Sequence, residues 1–435
     1  MISEPIALVC TCEIAGRVRG KGFPVTDLSA RLKSGVGWVP TNRMISALGP
    51  IADTALGATG DLILVPDPAT ELKVDFEDGS APEHFFLGDI RTTAGITWEC
   101  CPRDFLRRGL AALKDVAGLE LHSAFEQEFV YTGVEDHPGS PYSLESFRRQ
   151  GSFGGALLAA LRAAGLGPDS FLPEYGARQY EVTSGPATGI AAADNAIKMR
   201  EMARAVAHRL GHRAIFSPIL DPDGAGNGVH IHMSLRTVYS RPAAHDPARP
   251  YGLGPTAEAF MAGVLSNMRA LVAVTAPNPI SYIRLTPNRW APTWGVSGRA
   301  GSGSEPARLS GARSTGLRSG PSVQHRIPSG GRHRKPLSGP RPIVWAGVDG
   351  IAKGLGLPPP RNVAAMPAEE RRAAGIVELP HSLGEVLDLL KATAEAKDWF
   401  GPTYLDAYLR HKRAEIAMVA DLTEEEKCAR YAESY

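Results

Sequence analysis

Apolar and polar residues alternate strictly in two stretches of the chain. In AFEQEFVY (124–131), Phe125, Gln127 and Phe129 fall on one side and Glu126 and Glu128 on the other; in GNGVHIHMSL (226–235), Val229, Ile231 and Met233 oppose His230 and His232. A period of two is that of a β-strand, so each pair of like groups shares one face and the apolar residues turn to a core. Residues 143–165, 191–211 and 256–276 instead repeat their apolar positions with the helical period, as does the tail from 382 to 400. Residues 1–100 read as short strands broken by Gly and Pro, GDLILVPDPAT (60–70) being the clearest strand and turn. The pattern predicts an α+β protein, with a small strand-rich domain over 1–100 and a larger α/β domain over 101–435.

The polar faces of those strands carry the chemistry. Carboxylates on such apolar strands are costly to bury unless a cation neutralises them. A third pair, Glu174 and Glu181 in PEYGARQYEV, lies between the other two. A lone E-x-E or H-x-H is most often a solvent-facing strand edge, but three pairs in order along strand-like segments point to divalent metal. Oxygen-rich ligation with an imidazole suits Mg2+ or Mn2+, which commonly sit beside phosphates.

A chain of 435 residues with 43% hydrophobic side chains can build two domains with cores. The start, MISEPIALVC, has no basic flank and only a brief apolar run, which predicts neither a signal peptide nor a membrane anchor and makes the cytoplasm the expected location. Cys10, Cys12, Cys100, Cys101 and Cys428 are too few and too irregularly spaced for a disulfide framework or a usual zinc site, so reduced thiols are expected.

The ordered blocks CEIAGRVRGK, GDLILVPDPAT, FEQEF, PEYGARQYEV, GNGVHIHMSL, SYIRLTPNRWAPTWGV and IVWAGVDGIAKGL resemble the glutamine synthetases and their amide-forming relatives, which join glutamate to ammonia or another amine. The resemblance implies a β-grasp N-terminal domain followed by a catalytic domain with an antiparallel sheet and surrounding helices. It also implies homo-oligomeric rings with sites between subunits. Activity would run through ATP: the glutamate side chain becomes an acyl phosphate, which the amine then displaces. By the resemblance, Glu128, Glu174 and Glu181 would hold one divalent metal and Glu126 with His230 a second. His232 and Ser234 would contact ATP, Arg284 would bind the glutamate carboxylate, and Gly226 would let backbone approach the substrate. Ala225 departs from the family's usual Asn.

Between 297 and 342 the pattern breaks. Gly, Arg, Ser and Pro make up 32 of the 46 residues, without one Phe, Trp or Tyr, a composition expected to be disordered. This segment carries +8 where the whole chain carries +1, so the remainder is acidic at −7. Such a basic stretch suits RNA binding, but it interrupts the catalytic domain where the family carries site residues. Dropping one nucleotide at Gly330 lets the codons through Arg341 read AAATASPYLALA, like the family's A-x-A-x-P-Y-L-A-L-A helix start. The same shift over His325 to Ser329 permits TEFRP, like the family's E-x-R, with Glu at the codon of Arg326. A compensated change of reading frame is therefore expected, leaving the second metal site incomplete; the alternative is an ordinary loop.

Two further departures concern the amine. Ammonia-using members carry an F-D-G-S-S loop in the small domain and a flap Glu that deprotonates ammonium, whereas this chain has GVGWVPTNRMISALG (35–49) and Trp290. Both changes remove negative charge where the nucleophile would sit, which favours an organic amine over ammonia. The alternatives are an ammonia-dependent glutamine synthetase and a catalytically impaired structural homologue. No nucleic acid or membrane partner is expected.

Overall fold

In the computed structural model, alternation along β1 (Ile6–Cys12) sends Ala7 and Val9 into one core and Cys10 and Cys12 into another. The structure describes residues 2–435 apart from 54–55, 58–59, 138–140, 250–251, 286–293, 297–324, 328–339 and 359–365, with backbone alone at 294–296, 325–327 and 340–341. Strands β1, β2 (Val18–Pro24), β3 (Val36–Trp38), β4 (Leu62–Pro66), β5 (Leu72–Val74) and β6 (Glu83–Thr92) form a sheet in the order β2-β1-β6-β4-β3, with β5 also on β6. Its central pair, β1 and β6, is parallel and the others are antiparallel. This small mixed sheet stands where the resemblance implied a β-grasp domain. One face packs Val9, Leu64 and Phe86 towards Leu28 and Leu32 of the helix Leu28–Ser34. The other face, through Cys10, Leu72, Phe85 and Leu87, joins the core of the rest of the molecule.

The larger sheet comprises β7 (Leu119–Tyr131), β8 (Pro168–Pro173), β9 (Gln179–Ser184), β10 (Ala187–Thr188), β11 (Ala214–Ile215), β12 (Val229–Thr237) and, later in the chain, β14 (His325–Ile327). Its order is β14-β12-β7-β9-β8, with β10 and β11 also on β7, and every pairing is antiparallel. Phe125, Phe129, Val229 and Ile231 are buried on one face, as their period predicts. The helix Ile190–Arg209 covers that face, and Gln127 Nε2 donates to Ala196 O at 2.7 Å to satisfy the one amide there. A two-stranded sheet pairs β13 (Trp294–Val296) with β15 (Ile376–Glu378).

Buried ion pairs that the sequence pattern does not announce join the small sheet to helices that pack around the larger one. Arg103, fully buried in the helix Pro102–Ala117, donates to Asp67, Asp89 and Asp194, each within 2.8 Å. Arg43 is also buried; it donates to Cys12 O (2.9 Å), Glu13 (3.3 Å) and Tyr404 Oη (2.8 Å). Ala47 N donates to Glu415 of the helix Pro402–Ala417 at 2.9 Å. The segment 35–49 is thus fastened to a C-terminal helix.

Of 297–342, the described backbone covers 325–327 and 340–342. Residues 325–327 are strand β14, paired with β12, so that much of the segment is ordered instead of disordered as composition predicts. The rest of the segment, the expected disorder and reading-frame change there, and Trp290 lie outside the described residues. From Pro340 the chain is helical to Ala352, and this helix crosses Pro255–Ser266 with backbones touching. A Cβ on Gly350 would stand 2.2 Å from Ala259 O and 2.6 Å from Gly263 Cα. Gly350→Ala must separate the two helices, and we expect a loss on the order of 1–3 kcal/mol, measured as a lower denaturant midpoint. An unchanged midpoint would show that the helices cross more loosely. No single helix among the described residues is long and apolar enough to cross a membrane.

Candidate active site

The polar face of the larger sheet gathers most of the residues singled out by sequence. Register sets Glu128 of β7 directly opposite Glu181 of β9, and Glu126 opposite His230 of β12. Glu174 arrives from the turn between β8 and β9, where its backbone N donates to Gln179 O at 2.8 Å. Its carboxylate accepts from Tyr142 Oη and Tyr175 N, both at 3.0 Å. Two donor groups result, Glu128 with Glu174 and Glu181, and Glu126 with Glu181 and His230; within each, one ligand atom per residue lies within 4.8 Å of the others. Glu181 belongs to both.

Two carboxylates opposite each other in a buried part of a sheet repel, and Glu128 and Glu181 are only 2% and 7% exposed. A proton or a cation must offset that repulsion. The oxygen-rich group of three carboxylates and the neighbouring group with one imidazole fit hard divalent cations such as Mg2+ or Mn2+.

His230 Nδ1 lies 2.9 Å from Glu126 Oε2 and 4.0 Å from Glu181, while His232 Nε2 lies 2.7 Å from Glu126 Oε1. Burial pushes the Glu126 carboxyl pKa up, but the hydrogen bonds from His230 and His232 outweigh it and hold the group well below the usual carboxylate range. His232, for which the family resemblance implies contact with ATP, therefore sits on Glu126 here. Ser234 follows along the same face, opposite His122 in register and half-buried. Strand β14 completes this edge and brings residue 326, an arginine, opposite His232.

Arg284 closes the helix Ser281–Arg284 and is 2% exposed. It lies against Gly226, since a Cβ there would meet Arg284 Cδ at 2.0 Å and Nε at 2.3 Å. Any side chain at 226 would displace the arginine. Ala225 lies beside Gly176, 3.0 Å from where that residue's Cβ would stand.

Sequence reading missed Gln179, Asn227 and His122. Gln179 is buried and donates from Nε2 to Glu128 Oε2 (2.9 Å), Gly226 O (3.0 Å) and Asn227 Oδ1 (3.0 Å). Gln179 stands two residues before Glu181 and His122 four before Glu126, so strand parity places them on the same faces as those carboxylates. That signal was present, but neutral amides draw no notice in a search for charge.

This α+β arrangement, an antiparallel sheet presenting two adjoining donor groups beside a small β-grasp sheet, has the organisation of a glutamine synthetase-type catalytic unit. Family models agree: that described as the glutamine synthetase catalytic domain matches residues 99–431, and that of the glutamine synthetase N-terminal domain matches 3–98. The chain belongs to the glutamine synthetase family. It is 31% identical to the gamma-glutamylpolyamine synthetase GlnA3 of Streptomyces coelicolor, over 97% of this chain and 92% of that protein. It is 28% identical to the glutamine synthetase of Thermococcus kodakarensis, over 91% and 86%. Among solved structures, a novel glutamine synthase homolog superposes with a TM-score of 0.86 at 34% identity, covering 100% of this chain and 99% of its own. GmaS in complex with ADP shares the fold, at a TM-score of 0.80 and 22% identity over 97% and 95%.

Proposed function

We propose that this protein is an ATP-dependent ligase that joins the γ-carboxyl of glutamate to an organic primary amine, polyamines being the favoured class, through a γ-glutamyl phosphate. The convergence of two donor groups on Glu181, with Glu128 of the first group linked through Gln179 to the Gly226 loop beneath Arg284, carries the reading. Glu128, Glu174 and Glu181 would hold one Mg2+ or Mn2+, and Glu126, Glu181 and His230 the other. Cations bound there supply charge neutralisation for the phosphate oxygens and the acceptor carboxylate. Arg284, charged and planar, binds the α-carboxylate of glutamate, and bare Gly226 leaves room for it to do so. His232 and Ser234 line the β12 edge on which ATP would lie. The reading includes a cytoplasmic location, residues 1–100 and 101–435 as the two domains, and homo-oligomeric rings with sites between subunits.

The choice of amine rests on segment 35–49. It contains no Asp or Glu, and its one charged residue, Arg43, is committed to Glu13 and Tyr404 inside the protein. This segment offers no anion to hold ammonium, which argues against ammonia as the nucleophile. The 31% identity to a gamma-glutamylpolyamine synthetase supports the same choice. We expect a frame-restored enzyme to release phosphate from ATP and glutamate faster with polyamines and other primary amines than with ammonium. Equal or faster release with ammonium would return the reading to glutamine synthetase.

A further inference from the structure

We infer that Gln179 is a positioning residue that couples cation binding at Glu128 to the conformation of the Gly226 loop. The inference rests on the proposed cation site. Its geometry begins with the amide's orientation, fixed by its partners: Oε1 accepts from Gly176 N at 2.7 Å, so the amino group must face Glu128 Oε2, Gly226 O and Asn227 Oδ1. Two N–H groups serve three acceptors at 2.9–3.0 Å, so one bond is always shared. In a buried network of this kind, a change in any acceptor redistributes the donors among the rest.

The three acceptors belong to two parts of the site, Glu128 to the first donor group and Gly226 and Asn227 to one loop. Glu128 is a buried carboxylate of the first donor group. Gly226 lies under Arg284, and Asn227 anchors the same loop through Nδ2 to Ser217 O (2.8 Å) and Ile215 O (3.3 Å) and through its backbone N to Pro218 O (2.9 Å). The Gly176 bond holds the turn that presents Glu174. A divalent cation on Glu128 draws charge from its oxygens and weakens them as acceptors. The Gln179 amino group then bonds more strongly to Gly226 O and Asn227 Oδ1, and the loop beneath Arg284 tightens. Cation binding would thereby prepare the site for glutamate before the substrate arrives.

The test uses the full chain, Mn2+ alone as the probe, and two variants. Gln179→Glu keeps the shape but turns an oxygen towards three acceptors; Gln179→Met keeps the length without a hydrogen bond. Mn2+ affinity is read from the spin-resonance signal of the free ion, and backbone amide exchange is followed over residues 215–228 with and without saturating Mn2+. We expect Mn2+ to slow exchange of the wild-type loop. Gln179→Met, which removes the hydrogen bonds without adding charge, should bind Mn2+ about tenfold or more weakly, the scale on which partners of metal ligands act; Gln179→Glu, which adds a carboxylate beside Glu128, is read by its loop alone. At saturation their loops should no longer respond. A purely structural role for Gln179 would alter exchange equally with and without the ion. Mn2+ binding by wild type with no change in the loop, or a full response in Gln179→Met, would overturn the coupling alone. Absence of Mn2+ binding by wild type would overturn the cation site and the coupling with it. The wild-type comparison requires no variant to fold.

Discussion

The chain as written is expected to form amide at a negligible rate, and restoring the alternative frame across 325–341 is expected to raise turnover by at least about 100-fold. The register between β12 and β14 places residue 326 opposite His232, on the strand next to the one bearing His230. In the written frame that residue is arginine, where the resemblance to the family implies a metal-binding carboxylate. Exchanging an anionic ligand for a cationic residue opposes metal binding, and loss of the metal leaves developing phosphate charge unbalanced. The factor of 100 is a lower bound, because losing a group that only supports a metal ligand already costs 10–100-fold. Arg326→Glu alone should recover part of the rate, since the helix start encoded by the shifted codons would still be missing. ATP-dependent amide formation by the three proteins, with glutamate and a polyamine, measures this. Equal rates for the written and restored chains would show that 297–342 is a working loop.

Strand parity made much of this site legible. The i, i+2 spacing of Glu126 with Glu128, and of His230 with His232, was enough to assign a core face and a polar face to β7 and β12, and the long helical stretch at 191–211 appears as Ile190–Arg209 behind them. What parity cannot supply is which strands are neighbours. That Glu128 opposes Glu181, or that His232 rests on Glu126, follows from non-local register. The joints between the small sheet and the helices of the larger domain were hidden for a different reason. Arg43 and Arg103 look like ordinary surface cations in sequence, and only their acceptors, drawn from distant segments, explain their burial. At residues 325–327 composition and structure disagree, because a strand edge on β12 supplies backbone hydrogen bonds that composition does not record.

Glu181→Gln is expected to abolish Mn2+ binding. Glu181 contributes to both donor groups, so one substitution removes a charge and a strong oxygen donor from each. The amide keeps the size of the side chain and relieves the repulsion with Glu128 opposite, so the metal-free variant should be at least as stable as wild type. Lost binding would then report on ligation and not on unfolding. Glu145→Gln, an exposed carboxylate on the helix Leu144–Arg149, serves as a control that should bind as wild type does.

The claim that this face of the sheet is a divalent cation site is most directly tested by titrating Mn2+ into wild type and Glu181→Gln and measuring the free ion by spin resonance. Saturable binding by wild type that disappears in the variant, with melting temperature held or raised, is the predicted result. Identical titrations for the two proteins would contradict it.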